Sequence, residues 1–256
     1  MSARDERIYV LDVNGFQVDA SYKPSEEALI DWTIDHLMSL RQKKAQDGGE
    51  KTIAFFSGPP GAGKSTLALS VCKRAEERKT AYSFECLGLD GFHKRRDVLL
   101  NAYTEKDGRR ISLNDIKGVP ETFDAEAFCK SLSSVKTGKS VLWPVYDRRV
   151  HDVSDEMQKV SGDILLIEGN WLMLGGIWAK AREMCDITFS IDADDILLKE
   201  RLIARKVRGG KTMEEAIDWF KRVDGLNIRL YRKESAPSDV GFVRKNGILL
   251  LSHKKI

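Results

Sequence analysis

The 256-residue sequence predicts an α/β protein in which a parallel sheet is covered by helices on both faces. Two observations carry that expectation. From about residue 50 onward, short apolar runs of strand length alternate with longer stretches of helical character. Between one such run, "TIAFF", and a helical stretch, "STLALSVCKRAEE", lies the glycine-rich segment 58–66, "GPPGAGKST". Continuous apolar runs suit strands buried on both faces, as parallel strands are.

Taken in order, the elements begin with "RIYVLDVNGFQVDASY", where strand-forming residues flank Asn14-Gly15. That dipeptide favours a two-residue turn with positive φ at both positions and predicts a β-hairpin. In "PSEEALIDWTIDHLMSLRQKKAQ", Ser25 is a candidate N-cap and Glu26 and Glu27 sit in the first turn. Leu29, Ile30, Trp32, Ile34, Leu37, Met38 and Leu40 follow at about helical spacing, and the basic end suits a helix C-terminus before Gly48-Gly49. Downstream, "TIAFFSG", "AYSFECLGLD", "DILLIEG" and "DITFSID" read as strands, with a helix starting at about Lys64 and another after the last of them. "DVGFVRKNGILLLSHKK" repeats the Asn-Gly device at Asn246-Gly247 and predicts a closing hairpin. With no internal repeat, the chain reads as one domain: an N-terminal hairpin and helix (1–49), a core (50–200), a basic segment (201–212) and a C-terminal helix and hairpin (213–256).

Forty-two basic and 39 acidic residues leave a net charge of +3, which gives no reason to expect a nucleic-acid partner. The first residues, "MSARDERIYV", are too charged for the apolar core of a signal peptide, and no apolar run approaches the roughly 18 residues of a membrane span. A cytoplasmic protein without a membrane partner is expected. Cys72, Cys86, Cys129 and Cys185 are scattered with no C-x-x-C pair, which predicts reduced thiols rather than a zinc site or disulfides.

Residues 58–66 fit G-x-x-x-x-G-K-[ST], the phosphate-binding P-loop, so the fold expected is that of P-loop NTPases. Gly58, Gly61 and Gly63 let successive N–H groups turn toward phosphate oxygens, with Ala62 and Thr66 completing the cradle. Lys64 can neutralise the β- and γ-phosphates, and the Ser65 hydroxyl can ligate Mg²⁺. A glycine-rich turn that matches by chance would not have a strand before it and a helix after it. The ligands implied are ATP and Mg²⁺. No N-K-x-D motif is present to read a guanine. Glu168, at the end of "DILLIEG", is a candidate to hold Mg²⁺ or orient an acceptor, or else a plain turn carboxylate. Asp90 ends "AYSFECLGLD" and could accept the proton of an attacking hydroxyl, although Asp-Gly is also an ordinary turn dipeptide.

"GPPGAGKST", "LDGFH", "GVPETFD", "WPVYDRRVHD", "LLIEGNWLML" and "RLIARKVRGG" occur in an order that resembles the phosphoribulokinase, uridine kinase and pantothenate kinase group of P-loop kinases. The match is nearest to bacterial proteins described as nucleoside/nucleotide kinase-like or fructose-transport-associated kinase-like, and it spans about residues 51–227. The resemblance implies an adenylate-kinase-like strand order, with the strand of Asp90 outside that of Glu168. It implies that Asp90 is the base, and that Pro144, Tyr146, Asp147 and His151 line the acceptor pocket, which His93 borders. Asp124 matches a residue that contacts a sugar hydroxyl, and is equally a helix N-cap for "AEAFCKSL". "LLKERLIARKVRGGKT" looks like a lid, in which Arg201, Arg205, Lys206 and Arg208 face the phosphates and Gly209-Gly210 is a hinge. Arg205 is the foremost candidate there. Asp224 and Asn227 match a segment near the pocket. "DGFHKRR" departs from the D-S-F-Y of uridine kinases, so Lys94, Arg95 and Arg96 either hold a phosphorylated acceptor or face water. The N-terminal hairpin and helix have no clear counterpart; they pack on the core or build a homodimer contact.

The function expected is transfer of the γ-phosphoryl of ATP to a hydroxyl of a small metabolite: a nucleoside first, then a sugar or a pantothenate-like alcohol. A nucleotide-dependent switch or RNA-associated ATPase is the alternative from another class. The basic ends "RQKK" and "SHKK" would serve it, but near-neutral charge and the lack of aromatic-basic interleaving oppose it.

Overall fold

The computed structural model describes residues 6–106 and 108–255. Strands β1 (Arg7–Val13) and β2 (Phe16–Tyr22) form the expected antiparallel hairpin. Asn14 and Gly15 take φ of 55° and 88°, as the turn requires. Helix α1 (Pro24–Gln46) is capped at Lys23 rather than Ser25, because proline fits the first helical turn, where its missing N–H is not needed. Glu26 still organises the helix start: one oxygen accepts the Lys23 N–H at 3.0 Å, and the other accepts the Leu249 N–H at 2.8 Å and Arg244 Nη1 at 3.1 Å.

The chain then runs β3 (Thr52–Ser57), α2 (Lys64–Glu77), β4 (Phe84–Gly88), α3 (Arg96–Asn101), β5 (Tyr103–Lys106), β6 (Arg109–Ser112) and α4 (Ala125–Lys136). Next come β7 (Leu142–Asp147), β8 (Asp152–Lys159), β9 (Ile164–Gly169), α5 (Ile177–Arg182), β10 (Ile187–Ala193) and α6 (Asp195–Arg208). The chain closes with α7 (Met213–Trp219), α8 (Gly225–Glu234), β11 (Val240–Lys245) and β12 (Ile248–Lys254).

Six strands make the central sheet in the order β12-β11-β10-β3-β9-β4, parallel throughout except for the β11–β12 pair. The strand leading to Asp90 thus lies outside the one carrying Glu168. The closing hairpin extends the sheet through β11, which runs beside β10. Every residue of β3 is buried, and its side chains alternate between two cores. Ala54 and Phe56 pack with the α2 side chains Ala68 and Val71 and with Tyr9, Leu11, Ala20 and Tyr22 of the N-terminal hairpin. Ile53 and Phe55 pack on the opposite face with Phe128, Trp143 and Trp171. Fully burying side chains of this size contributes about 1.5–3 kcal/mol each, enough to hold the hairpin as part of the core.

Two small antiparallel ribbons, β5–β6 and β7–β8, lie outside the central sheet. β4 ends at Gly88, so Asp90 lies not on the strand but in a 3₁₀ turn, Leu89–Phe92. Gly91 does not serve that turn through a positive φ. It lets the turn press against β7, where a Cβ would come within 1.8 Å of the Pro144 carbonyl oxygen. The four cysteines are free and half-buried. Among the described residues, no helix is long and apolar enough to cross a membrane.

Candidate active site

A cavity of about 820 Å³ opens where β3, β4 and β9 end, the edge at which parallel sheets receive ligands. Its floor is the loop between β3 and α2. Gly61 and Gly63 adopt φ of 85° and 95°, backbone that only glycine takes without strain. Gly58 and Ala62 do not line the cavity: Gly58 passes 2.2 Å (from a would-be Cβ) from the Ile191 carbonyl oxygen, and Ala62 is buried in the core. Lys64 opens α2 and folds back so that Nζ donates to the Pro59 carbonyl at 3.1 Å. Burial pushes the Lys64 ammonium down to about 8, with Glu168 and Asp90 opposing the fall. An anion seated on the loop would restore its charge.

Glu168 ends β9, 5% exposed, with the Ser65 hydroxyl beside it. Burial raises its carboxyl above the usual value, the Asp90 charge adds to the rise, and Lys64 opposes it. Burial also penalises the Asp90 carboxylate, but His93, Arg148, Lys64 and Arg205 outweigh that penalty and hold its carboxyl below the usual value. Two neighbouring carboxyls are thereby driven apart, with Asp90 kept ionised. Among the described residues no group of three or more His, Cys, Asp or Glu side chains forms a metal cage. Mg²⁺ that arrives with a nucleotide needs only one or two protein ligands, and Ser65 with Glu168 fits that requirement.

Beyond Asp90 the cavity is lined by His93, Lys117, Tyr146, His151 and Asn227. His93 stacks on Phe123 with ring centroids 3.8 Å apart, and burial pushes it down to about 4, so it is neutral at pH 7. Tyr146 stands 5.5 Å from His93, its phenol held protonated by burial. Asn227 is buried at 3% exposure. Lys117 Nζ donates to the His151 carbonyl at 2.7 Å and lies 5.0 Å over the Tyr146 ring.

Two expected acceptor residues stand elsewhere. Asp124 is exposed and caps α4, its Oδ1 accepting the Ala127 N–H at 2.9 Å. Asp147 points away from the cavity because neighbours on a strand alternate faces, and Arg149 pairs with its carboxylate at 2.6 Å. Arg148, in the turn that follows β7, comes back beside Tyr146 into the cavity, with Nη2 3.8 Å from Asp90 Oδ2. Period-two spacing from Tyr146 was the signal for Arg148. Lys117 had no such signal, since its place depends on the loop before α4.

The basic run that follows the 3₁₀ turn divides. Arg95 pairs with exposed Asp155 at 2.7 Å, Lys94 donates to the Glu121 carbonyl at 3.0 Å, and Arg96 alone lines the cavity. Along α6, Arg201, Arg205 and Arg208 all line the cavity, while Leu198 and Leu202 anchor the helix in the core. Arg201 Nη1 donates to the Gly61 carbonyl at 3.3 Å. Gly210, just after α6, has φ of 94°. Lys206 lies 4.1 Å over the Trp219 ring and is pushed by burial down to about 8. Asp224 closes this wall from a π-helical turn, Phe220–Asp224; burial raises its carboxyl, with Arg205 and Lys206 opposing.

No family model matches the chain. An Escherichia coli protein named uncharacterized protein YggC is 33% identical over 219 residues, 85% of this chain and 87% of its own length. The uridine kinase of Macrococcus caseolyticus is 26% identical over 174 residues, 67% of this chain and 77% of that protein. Further relatives are named pantothenate kinase. A solved structure from Silicibacter sp. TM1040, named "putative fructose transport system kinase", superposes with a TM-score of 0.65 at 25% identity, covering 80% of this chain and 98% of that one.

Proposed function

The chain belongs to the phosphoribulokinase, uridine kinase and pantothenate kinase group of P-loop kinases and is an ATP-dependent small-molecule kinase, and we propose that its acceptor is a nucleoside hydroxyl. The observation that carries this reading is the position of Asp90. Its carboxylate is held ionised between the phosphate cradle and the end of the cavity lined by His93 and Tyr146. In the reaction, Asp90 takes the proton of the acceptor hydroxyl as that oxygen bonds to the γ-phosphorus. The bond to the β–γ bridging oxygen breaks, and ADP leaves with the electron pair. Lys64 and Arg205 balance the charge on the transferred group. Mg²⁺ bound with ATP would neutralise phosphate charge, and Ser65 and Glu168 are the residues that would hold it. His93 and Tyr146 offer the ring edges and a phenol donor that a nucleoside needs, with His151 and Asn227 alongside.

Asp90→Asn is expected to lower turnover by about 10²- to 10⁴-fold while leaving ATP affinity within about twofold. Unchanged turnover would remove Asp90 from the mechanism. The acceptor is tested by ADP release and thermal stabilisation across nucleosides, sugars and pantothenate, the latter with a non-hydrolysable ATP analogue present. One observation favours a second reading. Arg96, Lys117 and Arg148 gather at the acceptor end, more cations than a neutral nucleoside needs. They suit a sugar or pantothenate-like alcohol that already carries phosphate or carboxylate. Comparing phosphorylated with unphosphorylated acceptors in Arg96→Ala separates the two readings.

A further inference from the structure

The proposed reaction uses nothing from the N-terminal hairpin, yet the tip of that hairpin reaches the cavity. The hairpin is anchored along its inward face, where Tyr9, Leu11 and Val13 of β1 and Ala20 and Tyr22 of β2 are buried in the core. At its root Tyr9 donates to Glu27 at 2.8 Å and Arg7 pairs with Glu77 at 2.8 Å. At its tip Val13 and Phe16, opposite each other beside the Asn14-Gly15 turn, line the cavity.

The tip meets residues 148–151, the turn between β7 and β8. The Asn14 carbonyl accepts the Arg148 N–H at 3.2 Å, and Gly15 lies against the side chains of Asp147 and Arg149. In a two-residue turn the carbonyl of the first central residue has no partner within the hairpin, so it is left to bond outward. The Asn14 side chain takes no part: its Nδ2 is buried without a hydrogen-bond partner among the described residues. At the far end of the 148–151 turn Lys117 donates to the His151 carbonyl at 2.7 Å. Between these two supports the turn presents Arg148 and His151 to the cavity. Arg148 needs the support, because its 3.8 Å pair with Asp90 is too long for a hydrogen bond and does not lock the side chain. Its guanidinium is therefore located by the backbone from which it grows.

We infer that the hairpin tip is a positioning element of the active site: the Asn14 carbonyl holds the start of the 148–151 turn so that Arg148 stands beside Asp90. The inference rests on the role of Asp90 in the proposed reaction. The link runs through main-chain atoms, so it does not depend on the Asp147 carboxylate. Because the hairpin is set in the core, the position of Arg148 is fixed before any ligand binds, and binding spends little free energy ordering it.

The test measures ADP release from Mg·ATP, with and without uridine, in the parent chain and in Gly15→Val, Gly15→Ala, Asn14→Gly, Asp90→Asn and Arg148→Ala, and in Gly15→Val combined with Arg148→Ala. A β-branched side chain is strained at the Gly15 φ of 88°, and its Cβ would come within 3.1 Å of Arg149 Nε, so Gly15→Val displaces the tip. Gly15→Ala is the milder change if urea unfolding shows that valine impairs folding. Gly15→Val is expected to lower kcat about three- to tenfold with the KM for ATP within about twofold, since the cation is displaced rather than removed. In the Arg148→Ala background it should lower kcat by no more than about a further twofold, because both changes act through one side chain. Asn14→Gly keeps the positive φ and the carbonyl and should retain parent turnover within about twofold. Full turnover in Arg148→Ala or in both Gly15 variants overturns the inference, as does a double variant whose loss equals the product of the single losses. Asn14→Gly as slow as Gly15→Val overturns the main-chain link. Asp90→Asn at parent turnover overturns the proposed reaction instead, a distinct failure because that variant leaves the hairpin intact.

Discussion

The two ends of the cavity are built on different principles. The phosphate end comes from one contiguous loop, residues 58–66, whose spacing is itself the geometry: glycines set the backbone, and the lysine and serine open the helix that follows. The acceptor end takes His93, Lys117, Tyr146, Arg148, His151 and Asn227 from separate parts of the chain. Long-range contacts hold them in place, such as Gly91 against Pro144 and Lys117 on the His151 carbonyl. A site made of one loop's N–H groups keeps its form when the acceptor changes. A site made of side chains from several segments can change acceptor by single substitutions.

The contrast breaks most readily at Arg148. Arg148→Ala is expected to lower turnover by about 10- to 100-fold with ATP affinity nearly unchanged, since it removes a cation beside Asp90. Asp147→Ala, one residue away on the other face of the strand, should leave both parameters within about twofold; steady-state kinetics on the pair decides whether strand alternation or sequence adjacency marks the site. Next is pH. Free Lys64 titrates near 8, and bound phosphate raises that value, so above pH 8 the complex holds more protons than the separated partners. ATP affinity should therefore fall as pH rises through 8, by up to about tenfold per unit, with proton uptake visible in calorimetry across buffers of different ionisation enthalpy. No uptake at pH 9 would mean that Lys64 is already charged in the free protein.

Smaller effects test the packing. Gly91→Ala places a methyl against the Pro144 carbonyl and should destabilise the fold by about 1–3 kcal/mol in urea unfolding, with turnover falling as Asp90 shifts. Stability equal to the parent would show that the turn has room to relax. The smallest effect is expected at Arg95, whose pair with Asp155 is exposed and screened by water. Arg95→Ala should leave kinetics unchanged, whereas Arg96→Ala should weaken any anionic acceptor.

Much of this architecture is legible without coordinates because its causes are local. An apolar run, a glycine loop and a helix start identify the cradle within about twenty residues, and both Asn-Gly turns adopt the positive φ values their composition demands. The unbroken apolarity of "TIAFF" reports a strand buried on both faces. Other readings needed more than spacing. Asp124 had two local readings, and the structure shows the N-cap, with its side chain outside the cavity. The family resemblance grouped Asp147 with Tyr146, whereas the pleat of β7 separates them. "DGFHKRR" was one basic run until its backbone turned Arg95 toward Asp155 and Arg96 toward the cavity.

The sequence by itself determined the cradle, the α/β layering and the two hairpins, since each follows from rules that act over a few residues. Tertiary structure alone decided which strand the Asp90 turn packs against, which cations share the cavity with it, and that β2 of the N-terminal hairpin lines that cavity. Those facts depend on how segments far apart in the chain come together, and no local preference encodes that distance.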